Sequence, residues 1–228
     1  MDTDIDTAPQ VLELRQYTLH PGRRDELIAL FEREFVETQE AAGMAVLGTF
    51  RDLDDEDRFV WLRGFGDMAS RPAALAAFYG GPVWKQHREQ ANAMMIDTDD
   101  VLLLRPTPGW QWPRTARAPV GAEAPPGVVI AAVLPWGRAR PGDVDGVLAA
   151  FAAAGARGPI SFTTEPASNN YPRLPVREGE AVLVVLASLA GTDAQAASLP
   201  CCDELCRRLP QAMQLMRLAP TPRSLFHP

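Results

Sequence analysis

The same order of secondary-structure signals occurs twice in this chain, once on each side of a proline-rich divide. Residues 106–127, PTPGWQWPRTARAPVGAEAPPG, have no hydrophobic period and read as a semi-extended linker. Before them, VLELRQYTL (11–19) reads as a strand, and Pro21-Gly22 opens a helix that runs to about Ala41 and stops at Gly43. Strands follow at Met44–Arg51 and Arg58–Phe65, separated by the acidic turn Asp52–Asp57. Helical stretches cover Ser70–Tyr79 and, after Gly80-Gly81, Pro82–Ile96. The fourth strand is Val101–Arg105. After the linker come a strand (Gly127–Leu134), an Ala-rich helix (Pro141–Ala154) and a strand (Ile160–Thr164). A long loop (Glu165–Glu180), a strand (Ala181–Leu189), a weak helix (Asp193–Leu209) and a last strand (Ala212–Leu218) complete the half.

Each half is therefore βαββαβ, the ferredoxin-like order. The expected fold class is α+β, with two tandem ferredoxin-like repeats packed as one barrel-like pseudo-dimer. The expected division is 11–105, a linker at 106–126, and 127–218. Strand alternation separates two faces. Leu12, Leu14, Val60 and Leu62 make one face aliphatic; Glu13, Arg15, Tyr17, Phe59, Trp61, Arg63 and Phe65 make the other aromatic and charged. The aliphatic face is expected to carry the helices. The mixed faces of the two halves are expected to meet inside, because an exposed aromatic patch is unfavourable. A homodimer covering the same faces between chains is the alternative.

Composition excludes several classes. At 228 residues, 46% hydrophobic and 22% charged, the chain can bury a sizeable core. A net charge of −7 disfavours nucleic-acid binding, which needs a basic face. No apolar run reaches membrane-spanning length, and the acidic N-terminus lacks the regions of a signal peptide, so a cytoplasmic location is expected. Cys201, Cys202 and Cys206 are too clustered for a disulfide framework and lack a fourth zinc ligand nearby, so small buried thiols are expected. The acidic runs Asp52–Asp57 and Asp97–Asp100 read as solvated turns, since the first lacks the glycine and terminal glutamate of a calcium loop. No dinucleotide fingerprint, phosphate loop or nucleophile elbow is present, and no metal site is expected.

Three blocks carry a family resemblance: LELRQYTLHPGRRDELIALFE (12–32), FVWLRGFGDMASRPAALAAFYGGPVWKQHREQANAMMIDTDDVLLLRP (59–106) and, more weakly, NNYPRLPVREGEAVLVVLA (169–187). They resemble the NIPSNAP family. The resemblance implies a dimeric α/β-barrel, ferredoxin-like fold and little chemistry, since function in that family is mostly unsettled. Relatives of the fold include cofactor-free monooxygenases, haem-degrading enzymes and small-molecule isomerases.

Chemistry is expected beneath the helix 82–96. At 100° per residue, Trp84, His87, Arg88, Ala91 and Met95 share a stripe, with Asn92 on its edge. An ionisable group on a buried stripe is costly unless partnered. The reading that follows is a pocket walled by Trp84 and Met95, with His87 as acid or base and Arg88 holding an oxyanion. The competing reading puts His87 and Arg88 at the border as structural contacts. Tyr17, Arg15 and Trp61 are candidate ligand-binding residues from the sheet. Glu13 with Arg63 is expected to be an ion pair rather than a catalyst, and Glu34 a boundary residue. The stiff loop 165–180 is read as an interface arm, with a mobile lid as the alternative.

The expected partner is a small aromatic or enolisable molecule, with neither nucleic acid nor membrane, and self-association stays open. Whether the chain is an enzyme is open too. If it is one, a cofactor-independent oxidoreductase or isomerase is expected, with no cofactor. The alternatives are a non-catalytic binding or scaffold protein, and a haem-binding protein with His87 as axial ligand.

Overall fold

Eight antiparallel strands close into one barrel. The computed structural model describes residues 8–110, 116–137, 143–191 and 193–228. The strands are β1 (Val11–Leu19), β2 (Met44–Asp52), β3 (Arg58–Phe65), β4 (Met95–Pro106), β5 (Val128–Pro135), β6 (Arg157–Thr164), β7 (Val182–Leu189) and β8 (Gln214–Pro220). Around the barrel they run β1-β3-β2-β8-β5-β7-β6-β4. Each half thus holds four adjacent positions, as β4-β1-β3-β2 and as β8-β5-β7-β6. The halves join along two short seams. Phe50 pairs with Pro220 and Asp52 with Leu218 at one; Leu104 pairs with Thr164 and Pro106 with Phe162 at the other.

The helices lie outside. In the N-terminal half α1 (Arg24–Leu30) continues through a π-helical stretch (Phe31–Phe35) into α2 (Val36–Ala41), and α3 (Arg71–Gly80) is followed by α4 (Pro82–Asn92). The C-terminal half carries α5 (Asp143–Ala153) and α6 (Ala194–Arg208). Pro141, expected to open α5, lies outside the described residues, as do 111–115 of the linker.

The barrel is lined by the faces opposite to those expected. Its lumen is filled by Leu12, Leu14, Val60, Leu62, Leu102 and Leu104 from one half and by residues such as Val129, Val133, Phe162, Val184 and Leu218 from the other. The aromatic and charged face of β1 and β3 lies outward beneath α1–α4, packed with Phe31, Phe35, Leu75 and Phe78. The physical reason is closure. An eight-stranded barrel has an interior just wide enough for side chains, and branched aliphatics fill it without polar atoms that need partners. Each such side chain stabilises the fold by roughly 1.5–3 kcal/mol when fully buried. The arginines instead keep access to partners supplied by helices and loops.

Two boundaries also differ. The helix expected over 82–96 ends at Asn92, and Met95 begins β4, paired with Leu19. The run Asp97–Asp100 is therefore strand rather than turn, with register shifts against β1. Cys201 is buried and Cys202 half-buried, but Cys206 is exposed, contrary to expectation. Burial raises the Cys201 thiol and pushes Cys202 up to about 12, so neither is a thiolate at neutral pH. Among the described residues no cluster could hold a metal ion, and no helix is long and apolar enough to cross a membrane.

Candidate functional site

The outward face of β1 and β3 builds a charge cluster. Residues 13, 15 and 17 alternate with the lumen-facing leucines, so Glu13, Arg15 and Tyr17 rise on one side of the sheet. Arg63 stands opposite Glu13 on β3. The Glu13 carboxylate, fully buried, accepts from Arg15 Nη1 at 2.7 Å and Arg63 Nε at 2.8 Å on one oxygen, and from Arg71 Nε at 2.8 Å on the other. Arg63 Nη2 and Arg71 Nη2 each approach it to 2.7 Å, off the hydrogen-bonding direction. Burial opposes ionisation of Glu13, but the charges of Arg63, Arg15 and Arg71 overcome it and hold the carboxyl at about 2.

Three guanidiniums thus surround one carboxylate. Aromatic faces take up part of the excess: Arg63 lies 5.1 Å from the Trp61 ring, and Arg15 5.5 Å from Tyr17. Gln39 accepts from Arg63 at 3.1 Å. Asn169 and Asn170, on the loop 165–180, accept from Arg71 Nη1 at 3.0 and 2.9 Å. That loop is an arm between the halves, with Tyr171 and Leu174 packed on the aromatic cluster beneath the N-terminal helices.

Beside the cluster lies an aromatic cavity of about 30 Å³. Tyr17 and Trp61 rise into its wall from the sheet; Phe31, Phe35 and Gln39 come from the first helix, Phe78 and Tyr79 from α3, Trp84 from α4 and Met95 from β4. Arg15 Nε donates to the Tyr17 hydroxyl oxygen at 3.1 Å. Burial raises the Tyr17 pKa against the opposing charge of Arg15, so the phenol keeps its proton. The indole N–H of Trp61, in a side chain only 2% exposed, has no hydrogen-bond partner among the described residues. A buried unpaired donor costs about 1–3 kcal/mol.

Tyr17, Trp61, Trp84 and Met95, expected as ligand-binding residues, are brought together, with Arg15 behind them. His87 stands at the rim. Its ring is 6.4 Å from that of Phe35, and Nε2 is 3.7 Å from Glu34 Oε2. Arg88 and Asn92 are exposed on α4 and line no part of the cavity. The stripe was read as continuing to 95, which rotated the predicted buried sector towards them. A haem does not fit: the cavity is far too small, and His87 is not among its walls. The sequence reading missed Arg71, Gln39 and the Asn169-Asn170 pair. Arg71 had a usable signal, since it heads the apolar stripe Arg71, Ala74, Leu75, Phe78 on α3.

The comparisons with known proteins agree with this architecture. A protein from Lactobacillus acidophilus NCFM described as a "putative monooxygenase" superposes with a TM-score of 0.54 at 13% identity, over 93% of this chain and 94% of that one. A second protein so described, from Fusobacterium nucleatum, gives 0.52 at 8% identity, over 94% and 92%. At such identities these two show a shared fold alone. An uncharacterised NIPSNAP-like domain protein from Burkholderia xenovorans is 23% identical, with a TM-score of 0.42, over 46% of this chain and 91% of that one. No curated protein matches the chain. The NIPSNAP family model matches residues 12–109, which hold β1 from its second residue, all of β2 to β4 and every wall of the aromatic cavity. Over residues 12–109 the chain thus matches the NIPSNAP family model.

Proposed function

We propose that the chain is two tandem ferredoxin-like repeats closed into one barrel, and that the N-terminal repeat binds a small aromatic or enolisable molecule between its sheet and helices. The strand orders β4-β1-β3-β2 and β8-β5-β7-β6 support the first part. The single observation carrying the second is the unpaired Trp61 N–H on an aromatic cavity that adjoins three arginines and one carboxylate. A ligand ring stacks among Phe35, Phe78 and Trp84 once these side chains part, since the cavity of about 30 Å³ is smaller than an aromatic ring needs. Its oxygen accepts from Trp61 Nε1 and the Tyr17 hydroxyl, and the surplus positive charge behind them favours an enolate or phenolate over its neutral form. His87, polarised by Glu34, is the base at the rim.

Such a site supports isomerisation through an enolate. With dioxygen as co-reactant it also supports a cofactor-free oxygenation, in which a CH₂ group becomes C=O and water leaves. The "putative monooxygenase" description of the two full-length fold neighbours is in keeping with the second. A non-catalytic scaffold role is the other reading, favoured by the small volume of the cavity.

Titration of tryptophan fluorescence with salicylate, benzoate, 1-naphthol and indole tests the proposal. Saturable quenching is expected, weakened about tenfold in Trp61→Phe by loss of one hydrogen bond. Absence of binding by all four probes overturns it.

A further inference from the structure

Leu27, Phe31, Phe35 and Gln39 all line the aromatic cavity. Their stride is four residues. In a straight α-helix that stride advances 400°, so the positions drift by about 40° a step and about 120° from Leu27 to Gln39. Residues Phe31–Phe35 are instead π-helical, with Val36 N–H bonded to the Phe31 carbonyl. The wider i→i+5 turn takes back part of the drift and keeps Phe35 and Gln39 on the cavity. The π turn is thus what makes one continuous wall.

A π turn disturbs the regular ladder and is rare without outside support. Here the support comes from the end of the chain. Glu32, inside the π turn and 6% exposed, turns away from the cavity. Its Oε1 accepts from the Thr221 hydroxyl at 2.6 Å and from Arg223 N–H at 3.0 Å. The Arg223 guanidinium donates to the Glu32 main-chain carbonyl and pairs with Glu37 one turn on. Thr221 is itself tied to β2 through the Thr49 hydroxyl at 2.6 Å. The linker adds Arg117, which donates to the Arg223 carbonyl at 2.6 Å and pairs with Glu40. Thr221 and Arg223 are 0% and 4% exposed, so this is a built joint between tail and helix.

We propose that Thr221 and Arg223 are positioning residues: by holding Glu32 they keep residues 31–35 in the π-helical register that lines the cavity, and so couple docking of the C-terminal tail to ligand binding. The coupling half rests on the pocket reading above; the clamp on the helix does not. Linkage requires reciprocity, so a ligand in the cavity tightens the tail as much as the tail tightens the ligand.

Hydrogen exchange and salicylate titration on the full chain test this together. In Thr221→Val with Arg223→Ala, exchange over 31–41 is expected to quicken at least tenfold while β5 and β7 stay protected, and salicylate affinity falls about tenfold. Thr221→Ser, which keeps the hydroxyl, behaves as the unmodified chain. Salicylate slows exchange over 221–226 in the unmodified chain. If the double variant does not fold, the isosteric Thr221→Val alone carries the comparison. Unchanged exchange over 31–41, or equal quickening throughout the barrel, overturns the clamp. Quickened exchange with unchanged affinity overturns the coupling. Salicylate binding to no form, with exchange over 31–41 still responding, overturns the pocket reading and the coupling and leaves the clamp standing.

Discussion

Glu13 and Arg71 meet at 2.7 Å although neither side chain is exposed, joining the first strand to the start of α3. Among the described residues Glu13 is the only carboxylate paired with Arg15, Arg63 and Arg71, so the cluster depends on its ionisation. Its folded pKa, about 2, lies below its ordinary value of 4.5. A depressed acid adds stability that is complete above the unfolded value and is lost as pH falls through the folded one. Stability should therefore decline between about pH 4.5 and 2, by roughly 3 kcal/mol from this group. Glu13→Gln should remove that acid-dependent part. It should also cost about 3–5 kcal/mol at neutral pH by stranding buried cations. Urea unfolding at several pH values measures both.

Gln16 and Gln214 exchange side-chain hydrogen bonds between β1 and β8, with Nε2 to Oε1 distances of 3.0 and 2.7 Å. Gln16 is 3% exposed. Gln214→Leu should cost about 1–3 kcal/mol, because Gln16 loses its partner in an apolar setting. Adding Gln16→Leu should recover most of the loss. A double-mutant cycle in thermal unfolding gives the coupling, and additive losses would refute a paired role.

Asn169 and Asn170 supply the two acceptors that Arg71 finds on the arm. Their joint replacement by Ala should destabilise the protein by about 2–4 kcal/mol, since a buried charged donor is left unmet. The loss should be local first. Limited proteolysis should cut within 165–180 while the barrel resists.

Arg88 and Asn92 are exposed. Arg88→Ala and Asn92→Ala should each change stability by less than about 0.5 kcal/mol and leave aromatic binding intact. His87→Ala should spare binding but remove any turnover that depends on a rim base. A loss of binding in Arg88→Ala would mean that α4 lies differently from its position here.

Much of the secondary structure was legible because it is dictated locally. Strand β3 runs from Arg58 to Phe65 as its alternation indicates, and Gly43, at φ +89°, closes the first helix where a left-handed residue is needed. Tyr17 and Trp61 could be placed on one sheet face from their alternation, but not beneath Trp84, because the other face was expected to carry the helices. Residues 93–96 could not be assigned correctly, because apolar methionines and an isoleucine suit a helix stripe as well as a strand. Pairing of Met95 with Leu19 on β1 decides the matter.

Alternation along β1 and β3 determined, without any structure, that aliphatic side chains share one face and aromatic and charged ones the other. It could not say which face turns inward, because that depends on what each face meets. Strands β5 and β7 of the second half are apolar on nearly every position of both sides and cast no vote. Barrel closure resolved it: a narrow lumen accepts leucines and valines, whereas Glu13 and its three arginines need the donors, acceptors and rings that helices and the 165–180 arm supply. The π turn at 31–35 is of the same kind. Its stride-four pattern is written in the chain, but the bonds that hold it come from Thr221 and Arg223, nearly the whole length of the chain away.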